Sequence, residues 1–519
     1  MAQAILAQVP TGSSLSLGKA FPFQTPRVRS INLPSMSCPA RLPLAFAVYV
    51  CLAGQAASTM SFTVVTEPVR LRYGEVHNKM HVGSGKGLPL PPDVVARYAK
   101  GDTSMGITGF DPEMVRKHPN GSETLVKLSD HYLHHYILYF GEADSMRELI
   151  NLAAGKEHSA HKITGCHGMT GAGAHAFHKH AAAAGAKPDH NLVSFGSAAG
   201  AEYRHNPQRF EAPYRLVVRR PETWAPTLHI INTNLADNST MDGAPAVSQL
   251  LECPCTPQRK IDPVAGTIDG KVADPPIHCS KEFNATGNPS CHLSTYKGGW
   301  RCCEHGMFVV DTDKECASPN CAEKFVDEVY MKFTFYYEDT NASTKKMENA
   351  ACCDVTSSGI GETNIEHDVV PCAEGTPPDQ CVFIAESVQP LAFFDRWPKA
   401  RPWGSDLVDL VFAAPHLHWA GNSIELVDHE TNETLCEVHR MPDNSGGVMY
   451  GTGDEPGNEK GYMTGLTPCS WGGGRVRRFR RDHKMRTRAV YNATAYHTGV
   501  MSLWLINVAA VDASADMFV

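Results

Sequence analysis

From residue 60 onward the chain is written in short runs of β-branched, aromatic and aliphatic residues, punctuated by Gly, Pro and Asn. Residues 61–65, 136–140, 214–218, 228–231, 329–337, 382–386, 407–412, 423–427 and 500–508 all have this texture. Runs of this length cannot be long helices, and their even spacing is that of strands joined by turns. Convincing amphipathic helices are few; residues 145–153 read as one short one. The expectation is an all-β chain of two β-sandwich (jelly-roll-like) domains with a Cys-rich connector.

With 519 residues, 42% of them hydrophobic, the chain can bury two or three domain cores. Its 17 cysteines include the close groups Cys253/Cys255, Cys302/Cys303, Cys316/Cys321, Cys352/Cys353 and Cys372/Cys381. Two cleanly separated C-x-x-C pairs are absent, which favours a disulfide framework over zinc. Residues 42–52 (LPLAFAVYVCL) form an apolar core preceded by Arg41 and followed by the small-residue stretch GQAA, the form of a cleaved signal peptide. Met36 would start such a signal, leaving residues 1–35 as an extension or a misplaced start. If residues 1–57 are removed, Cys38 and Cys51 go with them and fifteen cysteines remain, so one thiol is free or paired between chains. No later run reaches the ~18–20 apolar residues of a spanning helix, so no transmembrane segment is expected in the mature chain. Sequons at Asn120, Asn238, Asn284, Asn341, Asn432 and Asn492 fit a secreted glycoprotein.

The blocks are therefore residues 1–57, an N-terminal extension and signal peptide; 58–245, a first β-sandwich; 246–322, a Cys-rich, disulfide-stapled connector; and 323–519, a second β-sandwich. A His/Ala/Gly-rich stretch near 155–192 reads as a surface insertion. The net charge of −8 implies no nucleic-acid partner. The basic run 475–488 (RVRRFRRDHKMRTR) reads as an exposed hairpin with a cationic outer face, the alternative being a polyanion patch. No nucleophile elbow, P-loop or dinucleotide fingerprint supports a hydrolase or nucleotide enzyme.

The chemistry concentrates in histidines. His416 and His418 follow an apolar, strand-like run and, at i and i+2, project to one face, where they could chelate a metal or simply lie at a surface. His134 and His135 are adjacent, so on a regular strand they would face opposite ways; they could share a metal only at a strand end or a distortion. His229 sits alone in an apolar run (WAPTLHIIN), where a strand histidine is usually structural. Met501 lies in a further strand, TGVMSLWL. By itself it is a core residue; with a same-face H-x-H its thioether would complete an N,N,S set suited to Cu(I).

The segments HYLHHYILY (131–139), GGWRCCEHG (298–306), GNEKGYMTGLTPC (457–469) and YHTGVMSL (496–503) resemble the stress up-regulated nodulin-nineteen (SURNod) family of secreted proteins. That family has no well-defined activity. More distantly, HHYILYFG (134–141) is similar to the His-His strand of the copper type II, ascorbate-dependent monooxygenases. Those enzymes hold two coppers, one in each of two β-sandwich domains, under three histidines in the first and two histidines and a methionine in the second. The resemblance matches His134, His135 and His229 to the first set and His416, His418 and Met501 to the second. It implies two copper ions, ascorbate as reductant, and His416, His418 and Met501 as the catalytic set. The arginine of peptide-amidating relatives, two residues before H-x-H, is here Ala414, and the asparagine and tyrosine after their methionine correspond to Leu503 and Leu505. A peptide carboxylate would find no holder, so the substrate is some other small molecule or a cell-wall component. The alternative is a non-enzymatic extracellular stress or cell-wall protein. Oligomeric state is not indicated.

Overall fold

The computed structural model describes residues 59–72, 76–154, 192–198, 202–206, 208–232, 326–355, 366–391, 407–495 and 497–511. The signal region, most of the 155–192 insertion, the 246–322 connector and its cysteines, and the sequons at Asn238 and Asn284 lie outside the described residues. Residues 57–519 form one compact unit.

Strands dominate, and the chain is all-β as its punctuation predicts. Among the described residues two α-helices accompany them, Pro92–Tyr98 and Ala143–Ala154, the second over the stretch read as helical, with one 3-10 turn at Tyr203–His205. The largest sheet has 13 strands. Its main path runs Met60–Val65, Val326–Asp339, Met105–Lys117, Tyr214–Val218, Lys345–Asp354, His497–Ala510, Leu407–Leu417 and Cys469–Ser470. It crosses the 322/323 block boundary. Val326–Asp339, from the carboxy-terminal block, is hydrogen-bonded between Met60–Val65 and Met105–Lys117 of the amino-terminal block. Tyr214–Val218 then pairs in parallel with Lys345–Asp354, through Tyr214 opposite Lys345.

Two smaller sheets complete the layers. One orders Val76–Met80, Thr223–Asn232, His131–Gly141 and Leu192–Ala198. It packs on the large sheet through aromatic contacts: Phe140 with Phe335 at 4.8 Å, Tyr136 with Phe333 at 5.4 Å and Trp224 with Phe333 at 5.8 Å between centroids. The other orders Val382–Pro390, Lys484–Asn492, Gly421–Asp428 and Thr434–His439. The sandwich cores form because alternate residues of each strand share a face and the apolar set is turned inward.

The described residues contain two disulfides, Cys372–Cys381 and Cys436–Cys469. The first joins cysteines already close in sequence; the second ties Thr434–His439 to the short Cys469–Ser470 strand. The basic run makes the strands Arg477–Arg480 and Lys484–Asn492. Its arginines are met by carboxylates: Arg475 by Glu211 at 2.7 Å, Arg478 by Asp409 at 2.8 Å, Arg488 by Glu425 at 2.9 Å, and Arg477 by Glu433. The expected hairpin does not form: Arg477–Arg480 pairs with Leu407–Leu417 in the large sheet, while Lys484–Asn492 lies between Val382–Pro390 and Gly421–Asp428 in another, so the run is two salt-bridged strands of separate sheets.

Candidate metal centre

His131–Gly141 pairs antiparallel with Thr223–Asn232, and the register slips at one place. His135 lies opposite His229 while Leu133 lies opposite Ile230, which leaves His134 as the extra residue of a β-bulge. The bulge reverses the alternation. Beyond it Tyr136 and Phe140 point into the aromatic core, so His135 and His229 share the opposite face, and the extra residue is turned towards them. This is the distortion that adjacent histidines need in order to converge.

The convergence is close. One ligand nitrogen from each of His134, His135 and His229 lies within 4.8 Å of the others. His134 Nδ1 is 3.1 Å from His135 Nδ1. The His134 ring stands 4.6 Å from that of His229, and the His135 ring 4.8 Å from it. All three are buried or nearly so, His134 to 1% exposure. Burial pushes the His134 imidazole down to about 4, so it is neutral at physiological pH and keeps a lone pair.

The second set is built on two neighbouring strands of the large sheet. Leu407–Leu417 runs antiparallel to His497–Ala510, with His416 opposite Leu503 and Leu417 opposite Ser502. The pairing ends there, and beyond it one hydroxyl, that of Tyr491, bonds both His418 N–H and Met501 C=O, which brings these two residues' backbones together. His416 and His418 are buried, and their rings are 5.1 Å apart and perpendicular. Met501 is half-buried against the core.

The strand is held at its end by a tight turn. Gly421 N–H donates to His418 C=O at 3.1 Å, and Ala420 takes a φ of 69°. A Cβ on Gly421 would sit 3.0 Å from His418 O and 3.1 Å from Leu417 Cβ, so the turn closes over a residue without a side chain. Trp419 Nε1–H donates to Gly461 C=O at 2.6 Å, and its ring lies 5.3 Å from that of His497.

Tyr491 anchors the same region. Its hydroxyl donates to Met501 C=O at 2.8 Å and accepts from the His418 N–H at 3.2 Å and from Ser502 Oγ at 2.9 Å. Ser502 has thereby used its only proton, so His367 Nε2, 3.0 Å from Ser502 Oγ, is the donor of that pair. His367 then carries its lone pair on Nδ1 if the ring is neutral. It lies near enough to His418 to contribute, after burial and the His416 and His134 rings, to holding His418 well below the usual histidine range. His367 escaped the sequence reading because it belongs to no H-x-H or H-H pattern and sits on the short strand Glu366–Val369.

Several of these nitrogens make no hydrogen bond: His134 Nε2 and both ring nitrogens of His418. A buried polar atom without a partner is costly, and a metal ion would satisfy it. A donor set of imidazoles with a thioether on the neighbouring strand fits copper better than Mg, Ca or Mn. Ala414, Leu503 and Leu505 are buried. Ala414 and Leu505 line a small pocket with Phe110, Phe195 and Asn349, with space for about one water molecule.

The GNEKGY segment has a structural role here. Glu459 accepts from Leu128 N–H at 2.8 Å and from Gly457 N–H at 3.1 Å, fastening it to the amino-terminal half. Beside it, Glu202 is fully buried and paired with Arg204 at 2.6 Å. Burial pushes its carboxyl up to about 8, more than the Arg204 charge lowers it.

Residues 277–511 match the family model described as stress up-regulated Nod 19, which bears out that resemblance. The GGWRCCEHG, GNEKGYMTGLTPC and YHTGVMSL segments fall inside the matched span, and HYLHHYILY precedes it. No curated protein matches the chain.

Proposed function

We propose that this chain, a stress up-regulated Nod 19 protein through residues 277–511, is a secreted copper protein that performs oxidative chemistry on a small extracellular or cell-wall molecule. The observation that carries the reading is the bulge at His134, which gathers three buried histidines within 4.8 Å. His134, His135 and His229 would hold one copper, and His416, His418 and Met501 the other. Bound copper would supply one-electron transfer and activation of O₂, with ascorbate as the reductant. The protein's own part is orientation and exclusion of water. Tyr491 fixes the backbone at His418 and Met501, the Gly421 turn covers the strand end, and burial keeps the His134 and His418 imidazoles neutral. Ala414, Leu503 and Leu505 offer no group to a carboxylate, which argues against peptide amidation and for a less anionic substrate.

Secretion and glycosylation belong to the same proposal. The sequons at Asn120, Asn341 and Asn432 lie in exposed turns, where a glycan can be accommodated. The burial of His416 and His418 favours one second reading, a non-enzymatic extracellular stress or cell-wall protein in which the histidines hold copper without turning over a substrate.

The deciding experiment is reconstitution of the purified chain with copper, followed by elemental analysis and ascorbate-dependent O₂ uptake. About two coppers with uptake support the oxidative reading. Copper without uptake supports the second, and absence of copper after reconstitution defeats the oxidative reading and leaves a non-enzymatic protein whose histidines have no metal role.

A further inference from the structure

The two histidine sets, from opposite halves of the chain, are in direct contact. The His134 ring lies 5.4 Å from the His418 ring, edge to face at 88°, a spacing close to its 4.6 Å from His229 and 5.3 Å from His135. His418 is in turn 5.1 Å from His416. Ring centroids at 5.4 Å, edge to face, put the two rings themselves in van der Waals contact. Both rings are 1% exposed, so solvent does not enter from the side either.

One ion cannot take all of these donors. Among the histidines, cysteines and carboxylates of the described residues, only His134, His135 and His229 bring ligand atoms within 4.8 Å of one another as a group of three or more. His416 and His418 therefore belong to a second position, adjoining the first. His134 is the residue placed to serve both: Nδ1 faces His135 Nδ1 at 3.1 Å, while Nε2 is buried and makes no hydrogen bond. Across the contact, neither ring nitrogen of His418 makes one.

We infer that His134 joins the two sets into one coupled dinuclear copper centre, in place of two independent copper sites separated by solvent. The inference rests on the copper reading proposed above and adds to it that the ions sense each other through the His134–His418 contact. Dipolar interaction between two Cu(II) ions grows with the inverse cube of their separation, so ions held by rings this close together would broaden each other's signal.

The test is a spin count. The full chain is loaded with two equivalents of Cu(II), oxidised with ferricyanide so that no Cu(I) goes uncounted, and measured by electron paramagnetic resonance against copper from elemental analysis. The expected result is two bound coppers with a signal that is broadened, or integrates to well under the bound copper. His134→Gln should lose copper and return the remaining signal to full integration, with folding checked by circular dichroism. Two bound coppers giving two sharp, fully integrating signals in the unaltered chain would overturn the coupled centre while leaving the copper reading intact. A single bound copper would overturn it as well. No bound copper would end the copper reading itself. The unaltered chain decides the matter even if His134→Gln fails to fold.

Discussion

His134 and His135 lie next to each other in sequence and still present nitrogens 3.1 Å apart, because the strand that carries them bulges at His134 opposite His229. A regular strand would have sent one of them into the aromatic core with Tyr136 and the other away from it. The bulge converts a neutral fact of sequence into a chelating geometry, and its consequences are measurable.

Removing the lone histidine of the first set tests that geometry. His229→Ala takes one of three converging ligands and should weaken copper retention by more than the roughly 10–100-fold that follows loss of a group merely supporting a ligand. Equilibrium dialysis against a chelator reads this out. Unchanged retention would remove His229 from the metal set.

Met501 distinguishes the oxidation states. Met501→Ala deletes a soft thioether from the strand paired with that of His416, so on the copper reading Cu(I) should be lost more readily while Cu(II) binding changes little. Competition with a Cu(I)-selective chelator, run beside a Cu(II) titration, measures the difference. Equal effects on both states would argue that the sulfur is not a ligand.

Tyr491→Phe keeps the ring and deletes the hydroxyl shared by His418 N–H, Ser502 Oγ and Met501 C=O. Leaving such buried groups unsatisfied costs ~1–3 kcal/mol. The denaturation midpoint should fall accordingly in the metal-free chain, and a midpoint unchanged from the parent would show that the network does not stabilise the fold.

The fourth prediction concerns pH. Glu202 is raised in the folded chain to about 8 from an ordinary 4.5, chiefly by burial. The folded state therefore binds this proton more tightly than the unfolded one. Its favourable contribution is fully present below about 4.5 and is lost as pH rises through about 8. Unfolding midpoints measured across that window should decline with pH more steeply in the parent chain than in Glu202→Gln, which cannot ionise. Parallel slopes would contradict the buried-acid reading.

Much of the architecture is written locally. The strand runs near 214–218, 407–412 and 500–508 lie where the punctuation by Gly, Pro and Asn sets them, because alternation and turn chemistry act over a few residues. The helix Ala143–Ala154 is legible in the same way. The seating of Val326–Asp339 between two amino-terminal strands depends on pairing partners far away in sequence, which no local pattern records. The same holds for the site. The same-face relation of His416 and His418 follows from the strand period alone. The convergence of His134 with His135 needs the partner strand's register, and His367 enters only because Glu366–Val369 docks on His497–Ala510 beside Met501.

The unbroken 13-stranded sheet also bears on how anything reaches the histidines. Enzymes that open between two lobes do so by bending at a few linking residues. Here the two halves of the chain are joined by rungs of backbone hydrogen bonds, from Tyr214–Lys345 through Lys345–Asp354 to its pairing with His497–Ala510, so parting them would break sheet pairing. Opening at strand ends and turns is the motion that leaves those rungs intact, and the His418–Gly421 turn, closed by one backbone hydrogen bond, is such a place.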